Sequence, residues 1–275
     1  MTSRLIIAAF AIVATLHSRP ATAETALITG ANRGIGLEMA RQLAAQNWTV
    51  IATSRSPDDD DQLRQLAATA KTVRVERLDL TDHPGIDALA AKLKDVPIDL
   101  LINNAATSAG QFFDKFGAIQ YDQALTLYTV NALGALKVSE AFVEHVATGK
   151  LRKIVTLIGE GGSTGGARGG GMYLFGASKA AEAHLMRKLA LDLRKRNITV
   201  AIVAPGYVDT MGFADGTYSV EAAPDFKPMY DLYTRGDSTP VPTDRQVARL
   251  IPFMLAISPE QSGKWLSIDG GEVPW

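Results

Sequence analysis

The 275-residue sequence contains no cysteine. Disulfide bonds, thiolate zinc sites and thiol nucleophiles are thereby excluded. Histidine is scarce: His17, His83, His145 and His184 are scattered and share no metal-ligand spacing, so no metal site is expected. Charge of one sign is also lacking, because 28 Lys and Arg oppose 29 Asp and Glu for a net charge of −1. A chain so balanced has no bulk attraction for nucleic acid or an anionic membrane, and neither is expected as a partner. What is present is ordinary globular material, with 47% apolar and 21% charged residues, enough for a sizeable core.

The N-terminus differs from the rest. Arg4 precedes an apolar run from Leu5 to Leu16, and a polar stretch then ends in Ala21-Thr22-Ala23. That order is the pattern of a secretory signal cleaved after Ala23. The run is too short for a membrane span, which needs about 20 residues. The expected organisation is therefore a signal peptide over 1–23 and a mature domain over 24–275. Such a protein is exported, periplasmic or secreted; if the segment is not a signal peptide, it is cytoplasmic. A single arginine stands before the run, so the twin-arginine signature of prefolded export is not evident.

Past Glu24, short apolar runs alternate with longer amphipathic ones. The β-like runs are Thr25 to Thr29, Thr49 to Thr53, Val73 to Leu78, Ile98 to Ile102, Lys153 to Ile158, Thr199 to Ala204 and Trp265 to Ile268. Helical patterns lie between them, including a long one reaching about Val146 and another from Leu174 to Arg194. Strands that are apolar throughout and separated by helices predict a parallel sheet covered on both faces. The fold class is α/β: a Rossmann-like, doubly wound parallel sheet in a single domain. Thr210 to Pro240 has no clear periodicity and reads as a substrate lid, with Phe213, Phe226 and Tyr230 among its apolar residues.

Thr29-Gly30-Ala31-Asn32-Arg33-Gly34-Ile35-Gly36 follows the first strand and opens the first helix. Gly30 permits the tight turn, Gly34 lets backbone approach a pyrophosphate, and Gly36 lets helix pack on sheet. The helix N-terminus adds free N–H groups and a positive dipole end. At the end of the second strand, where an acidic residue would hold ribose hydroxyls, stands Thr53-Ser54-Arg55. The Arg55 guanidinium can pair with a 2′-phosphate, which favours NADP over NAD. The acidic run Asp58 to Asp61 is expected to cap and charge the next helix, and it weakens the local attraction for phosphate.

With these residues the chain resembles the short-chain dehydrogenase/reductase family over 24–275, and its ending from Gly263 to Trp275 is similar to the C-factor-like branch. The resemblance implies further nucleotide contacts at Asp79 and Leu80, at Asn103 and Ala105 in the segment Asn103-Asn104-Ala105-Ala106, and at Pro205, Gly206, Val208 and Thr210. It also implies that Asn131 is the catalytic Asn of the long middle helix. Lys179 is implied to be the Lys that holds the cofactor ribose.

The proton-handling positions depart from the family pattern. A Tyr four residues before the Lys would share its cleft, because residues i and i+4 lie on one helix face about 6 Å apart along the axis. That position is Phe175, which has no proton to give. Tyr173 lies nearby, but its offset of six residues turns it about 120° from the Lys face on a continuous helix. The family's catalytic Ser would fall near Gly159, and the nearest hydroxyl is Ser163. Eight glycines in 13 residues, Gly159 to Gly171, predict a loop that is mobile without ligand. The catalytic candidates are thus Asn131, Ser163, Tyr173 and Lys179.

The expected function is NADP-dependent hydride transfer to or from a small, apolar carbonyl, alcohol or activated C=C substrate, with an atypical proton donor. The alternative is a catalytically degraded NADP-binding protein with a structural or regulatory role. The family resemblance also implies a homodimer or homotetramer.

Overall fold

The computed structural model describes residues 23–110, 112–167 and 169–275. The signal-peptide expectation falls on residues 1–22, outside the described part. Among the described residues no helix is long and apolar enough to cross a membrane.

Seven parallel strands form the main sheet: β1 (Thr25–Ile28), β2 (Thr49–Ser54), β3 (Val73–Arg77), β4 (Leu100–Asn103), β5 (Lys153–Leu157), β6 (Thr199–Ala204) and β9 (Trp265–Ser267). Their order is β3-β2-β1-β4-β5-β6-β9. Two further short strands, β7 (Val208–Asp209) and β8 (Val241–Pro242), pair with each other beyond the carboxyl end of β6. The order reverses between β1 and β4, which pair in register at Ala26 with Leu100 and Ile28 with Ile102. Chain leaving those two strands diverges to opposite sides, and the crevice left at their carboxyl ends is where this fold class takes ligands.

The apolar strands bury both faces because helices cover both. In β1, Ala26 and Ile28 join one core and Leu27 the other. The first core includes Leu63, Val247 and Met254 under α1 (Gly34–Ala45), α2 (Asp61–Thr69) and α9 (Thr243–Ala256). The second includes Ile86, Phe142 and Met186 under α3 (His83–Lys92), α5 (Ala135–Ala141), α6 (Val143–Thr148) and α7 (Tyr173–Leu193). Burial on both sides is the reason the inner strands carry no polar alternation, whereas β3, at the sheet edge, exposes Arg74 and Arg77.

The long middle helix is not continuous. α4 (Ala124–Tyr128) runs into a π-helical turn at Thr129–Gly134 before α5 resumes, and the chain breaks again at Phe142. The expected lid contains a helix, α8 (Lys227–Thr234), preceded by a 3₁₀ turn at Pro224–Phe226. There Phe213 is buried and rings with Tyr218, Tyr230 and Tyr233.

Candidate active site

The glycine turn is built by the ends of β1 and β4 together. Thr29 Oγ1 accepts the backbone N–H groups of Asn104 and Ala105, both at 3.0 Å. Asn104 Nδ2 donates to the Thr29 and Gly30 carbonyls at 2.9 and 3.0 Å. A Cβ at Gly30 would lie 2.8 Å from Ala105 Cα, so only glycine lets the two turns meet. Gly34 opens α1 at φ +54°, and a Cβ there would press on Thr210 Cγ2 at 3.3 Å, across the cleft from the chain after β6. Arg33 gives no side-chain cap to α1 and no acidic residue stands in its first turn. Its positive end is left for an outside anion. This tight cradle with an uncapped helix start fits the diphosphate of a dinucleotide at Gly30, Asn32, Arg33, Gly34, Ile35 and Gly36.

At the adenosine end, Arg55 is exposed at the tip of β2. Asp79 lies within range of its charge. Burial pushes the Asp79 carboxyl up, but donors from Thr81 and the Arg55 and Arg77 guanidinium groups outweigh it and hold the group below the usual carboxylate range. Asp79 is therefore a fixed anion beside the guanidinium that is expected to meet a phosphate. Leu80 is buried behind it, where a Cβ at Gly134 would meet its Cβ at 2.7 Å.

The acidic run meets the sequence expectation in part: Asp61 stands in the first turn of α2, but no side chain caps the helix. Asp60 stands at the N-cap of α2 without a side-chain capping bond. Its carboxylate instead accepts from Asn32 Nδ2 at 3.1 Å and from Ser54 Oγ, which ties the glycine turn to the end of β2. Two donors close by outcompete the frayed helix end.

Asn103 also differs: its side chain points into the core, donating to Ser139 Oγ at 2.9 Å and Thr156 Oγ1 at 3.4 Å. Only its backbone can face the cleft, whereas Asn104, absent from the sequence expectation, holds the glycine turn. On the β6 side, Gln246 Nε2 donates to the Pro205 carbonyl at 2.6 Å and fills the space beside Gly206. Val208 pairs with Val241, and Thr210 donates its N–H to the Val208 carbonyl at 3.0 Å.

The residues expected to handle the proton are placed as follows. Asn131 is fully buried in the π-turn; its amide clamps Thr107, accepting from the N–H at 2.8 Å and donating to the carbonyl at 2.9 Å, and donates to Ser178 Oγ at 3.0 Å. A π-turn displaces a helix locally and recurs at functional sites. Phe175 rings with Phe112 at 4.6 Å, and Phe112 with Phe226 at 5.2 Å, joining the chain after β4 to the lid. Tyr173 is the first residue of α7, is 40% exposed, and is not brought beside Lys179. Ser163 is buried, and its hydroxyl donates to the Pro274 carbonyl and accepts from the Gly166 N–H.

The loop after β5, expected to be mobile, is anchored at both ends of its first half. Gly165 N–H donates to the Trp275 carbonyl at 2.5 Å, and Trp275 stacks edge-on against buried Trp265 under the Arg187 guanidinium. Gly162 lies so close to α7 that a Cβ would meet Lys179 Cβ at 2.8 Å. The C-terminus, distant in sequence, supplies the order that glycine composition alone denies.

Two contributors escaped the sequence reading. Asp114 caps α7 from across the site, accepting from the N–H groups of Tyr173 at 2.5 Å and Leu174 at 3.0 Å. Glu182 is buried and accepts from Lys179 Nζ at 2.5 Å. Burial pushes the Glu182 carboxyl up to about 7, with the Lys179 charge and hydrogen bond opposing that rise. The available signal was its position, three residues after Lys179 and four before Met186, on the face that enters the core.

Residues 24–217 match the short chain dehydrogenase family, and the chain belongs to it. The C-signal protein of Myxococcus xanthus is 29% identical over 189 residues, covering 68% of this chain and 99% of that protein. The 1-hydroxy-2-glutathionyl-2-methyl-3-butene dehydrogenase of Rhodococcus sp. is 30% identical over 253 residues, covering 91% and 99%. Among solved structures, the NADPH-bound carbonyl reductase from chicken fatty liver superposes with a TM-score of 0.75 at 25% identity, covering 92% of this chain and 99% of that one.

Proposed function

We propose that the protein is an NADP-dependent oxidoreductase that moves hydride to or from a small, apolar carbonyl, alcohol or activated C=C substrate. The observation that carries this reading is the glycine cradle: turn, β4 end and uncapped α1 start come together, and Arg55 stands beside Asp79 at the ribose end. The chicken carbonyl reductase, which holds NADPH on the same fold, supports the choice of NADP. The bound reduced nicotinamide supplies a hydride. The chain's own residues do the rest. Gly30, Gly34 and the α1 N–H groups bind diphosphate, Arg55 meets the 2′-phosphate, and Pro205 to Thr210 border the nicotinamide end. Phe112, Phe175 and Phe226 exclude water from the substrate side and favour an apolar partner.

A second reading is favoured by the fate of the hydroxyls. Phe175 has none, Ser163 is spent on Pro274, and Tyr173 faces outward, which is the pattern of a nucleotide-binding protein that has lost its catalytic step. NADPH and NADH binding, followed by NADPH oxidation across aldehydes, ketones and enones for wild type and Phe175→Tyr, separates the two. Turnover by the wild type supports the enzyme. Turnover only in the variant, at about 10² times the wild-type rate or more, supports the degraded form. Absence of binding to either nucleotide overturns both.

A further inference from the structure

The catalytic helix carries a buried charge pair that the reading above does not use. Lys179 Nζ lies 2.5 Å from Glu182 Oε2, and the two side chains are 6% and 1% exposed. Both sit on α7, one turn apart, under the 3₁₀ turn Glu160–Gly162. A buried ammonium with one carboxylate on it is neutralised, and it is held along its own helix instead of extending into the cleft.

We propose that Glu182 is a positioning residue that competes with the dinucleotide for the Lys179 ammonium, so that cofactor affinity falls as the Glu182 carboxylate ionises. The inference rests on the nucleotide-binding reading and deepens it. Lys179 is the residue expected at the cofactor ribose, and the structure places a second acceptor on it.

The surroundings make Glu182 the group that decides Lys179's charge environment. Of the elements packed on α7, β6 and the π-turn carry no ionisable side chain. The Glu160–Gly162 turn carries Glu160, which is exposed and accepts from Ser267 Oγ. α4 carries Tyr128, and α5 carries Lys137, which pairs with Asp87 of α3 and with Glu140; the Asp114 carboxylate is engaged by the N–H groups at the start of α7. The basic turn Arg194–Arg196 follows the far end of α7. Lys179 is the charged side chain acting on Glu182, and burial sets the carboxylate to change state near neutrality.

The test is the NADPH dissociation constant, by nucleotide fluorescence, at pH 6.0 and 8.5 for wild type, Glu182→Gln and Glu182→Leu, with folding checked by circular dichroism. The 2′-phosphate titrates in the same range, and identically in every variant, so the difference between variants is read. The wild type is expected to lose at least threefold more affinity than Glu182→Gln across that interval. Glu182→Gln is expected to bind three- to tenfold tighter at pH 8.5. In a Lys179→Met background, Glu182→Gln is expected to change nothing. Parallel pH profiles, weaker binding by a folded Glu182→Gln, or an effect that survives Lys179→Met overturns the proposal while nucleotide binding stands. If Glu182→Gln does not fold, Glu182→Leu is held to the same criteria. Absence of binding in the wild type removes the reading beneath it and the proposal together.

Discussion

Removing Lys179 while leaving Glu182 should produce a pH-dependent loss of stability. In the folded protein the Glu182 carboxyl stands near 7, against an ordinary 4.5. An acid whose folded value is raised binds more protons folded than unfolded, so its contribution to stability is lost as pH rises from the unfolded value through the folded one. At 1.36 kcal/mol per unit, that loss is on the order of 3 kcal/mol between pH 4.5 and pH 8. Lys179 limits it by attraction. Lys179→Met takes that attraction away and strands the carboxylate, and breaking a buried pair from one side costs about 3 to 5 kcal/mol. For a chain of this size each kcal/mol moves the melting temperature by about 2 to 4 °C. Thermal melts of Lys179→Met should therefore fall by roughly 6 to 20 °C at pH 8.5. At pH 5.5, where Glu182 takes up a proton, the drop should be much smaller. The double variant Lys179→Met/Glu182→Leu leaves no charge to strand and should recover most of the loss at pH 8.5, ending within about 2 kcal/mol of wild type. An equal drop at both pH values, or a double variant as unstable as Lys179→Met, would show that the pair is not the electrostatic unit its geometry describes.

Gly34→Asp sets a side chain at φ +54° against Thr210 and a carboxylate where an anion belongs; it should abolish the NADPH thermal shift, which for wild type at 100 times the dissociation constant corresponds to about 2.7 kcal/mol. A retained shift would relocate the nucleotide. Asp114→Ala removes both side-chain caps from the start of α7 and should cost about 2 kcal/mol, read as a melting temperature lower by roughly 4 to 8 °C. An unchanged melt would mean that solvent replaces the cap without cost.

What the sequence made legible was local or periodic. The seven expected runs became the seven strands of the main sheet; in the inner ones burial on both faces leaves no polar alternation to confuse the pattern, and only the edge strand β3 mixes Val with exposed Arg. The glycine turn was legible because its spacing encodes a backbone path. The π-turn at Thr129–Gly134 was not, since weak helix formers such as Thr129, Val130, Asn131 and Gly134 do not distinguish a π-turn from a bend, and the partner that Asn131 holds, Thr107, is 24 residues away. Ser163 finds Pro274 across 111 residues, and Asp114 finds α7 across 59. Such partners depend on where the folded chain returns, and no periodicity records that.

The same distinction separates the cradle from the positions expected to handle the proton. The cradle is held from within: the Thr29 hydroxyl and the Asn104 side-chain amide bond the main chain of the facing turn, and no substrate chemistry is needed to hold them in place. Proton transfer needs single side-chain atoms at the cleft, and those are replaceable one by one. Phe175 has a structural use. The phenyl ring meets Phe112, from the same segment whose Asp114 caps α7, so that segment is pinned to the catalytic helix by an aromatic contact and by two hydrogen bonds within one helical turn. A hydroxyl on ring 175 would have to leave this cluster or be desolvated in it, at a cost of about 1 to 3 kcal/mol if unpaired. Phe175→Tyr should therefore lower the melting temperature, and a melt unchanged from wild type would show that the added hydroxyl finds a partner or solvent.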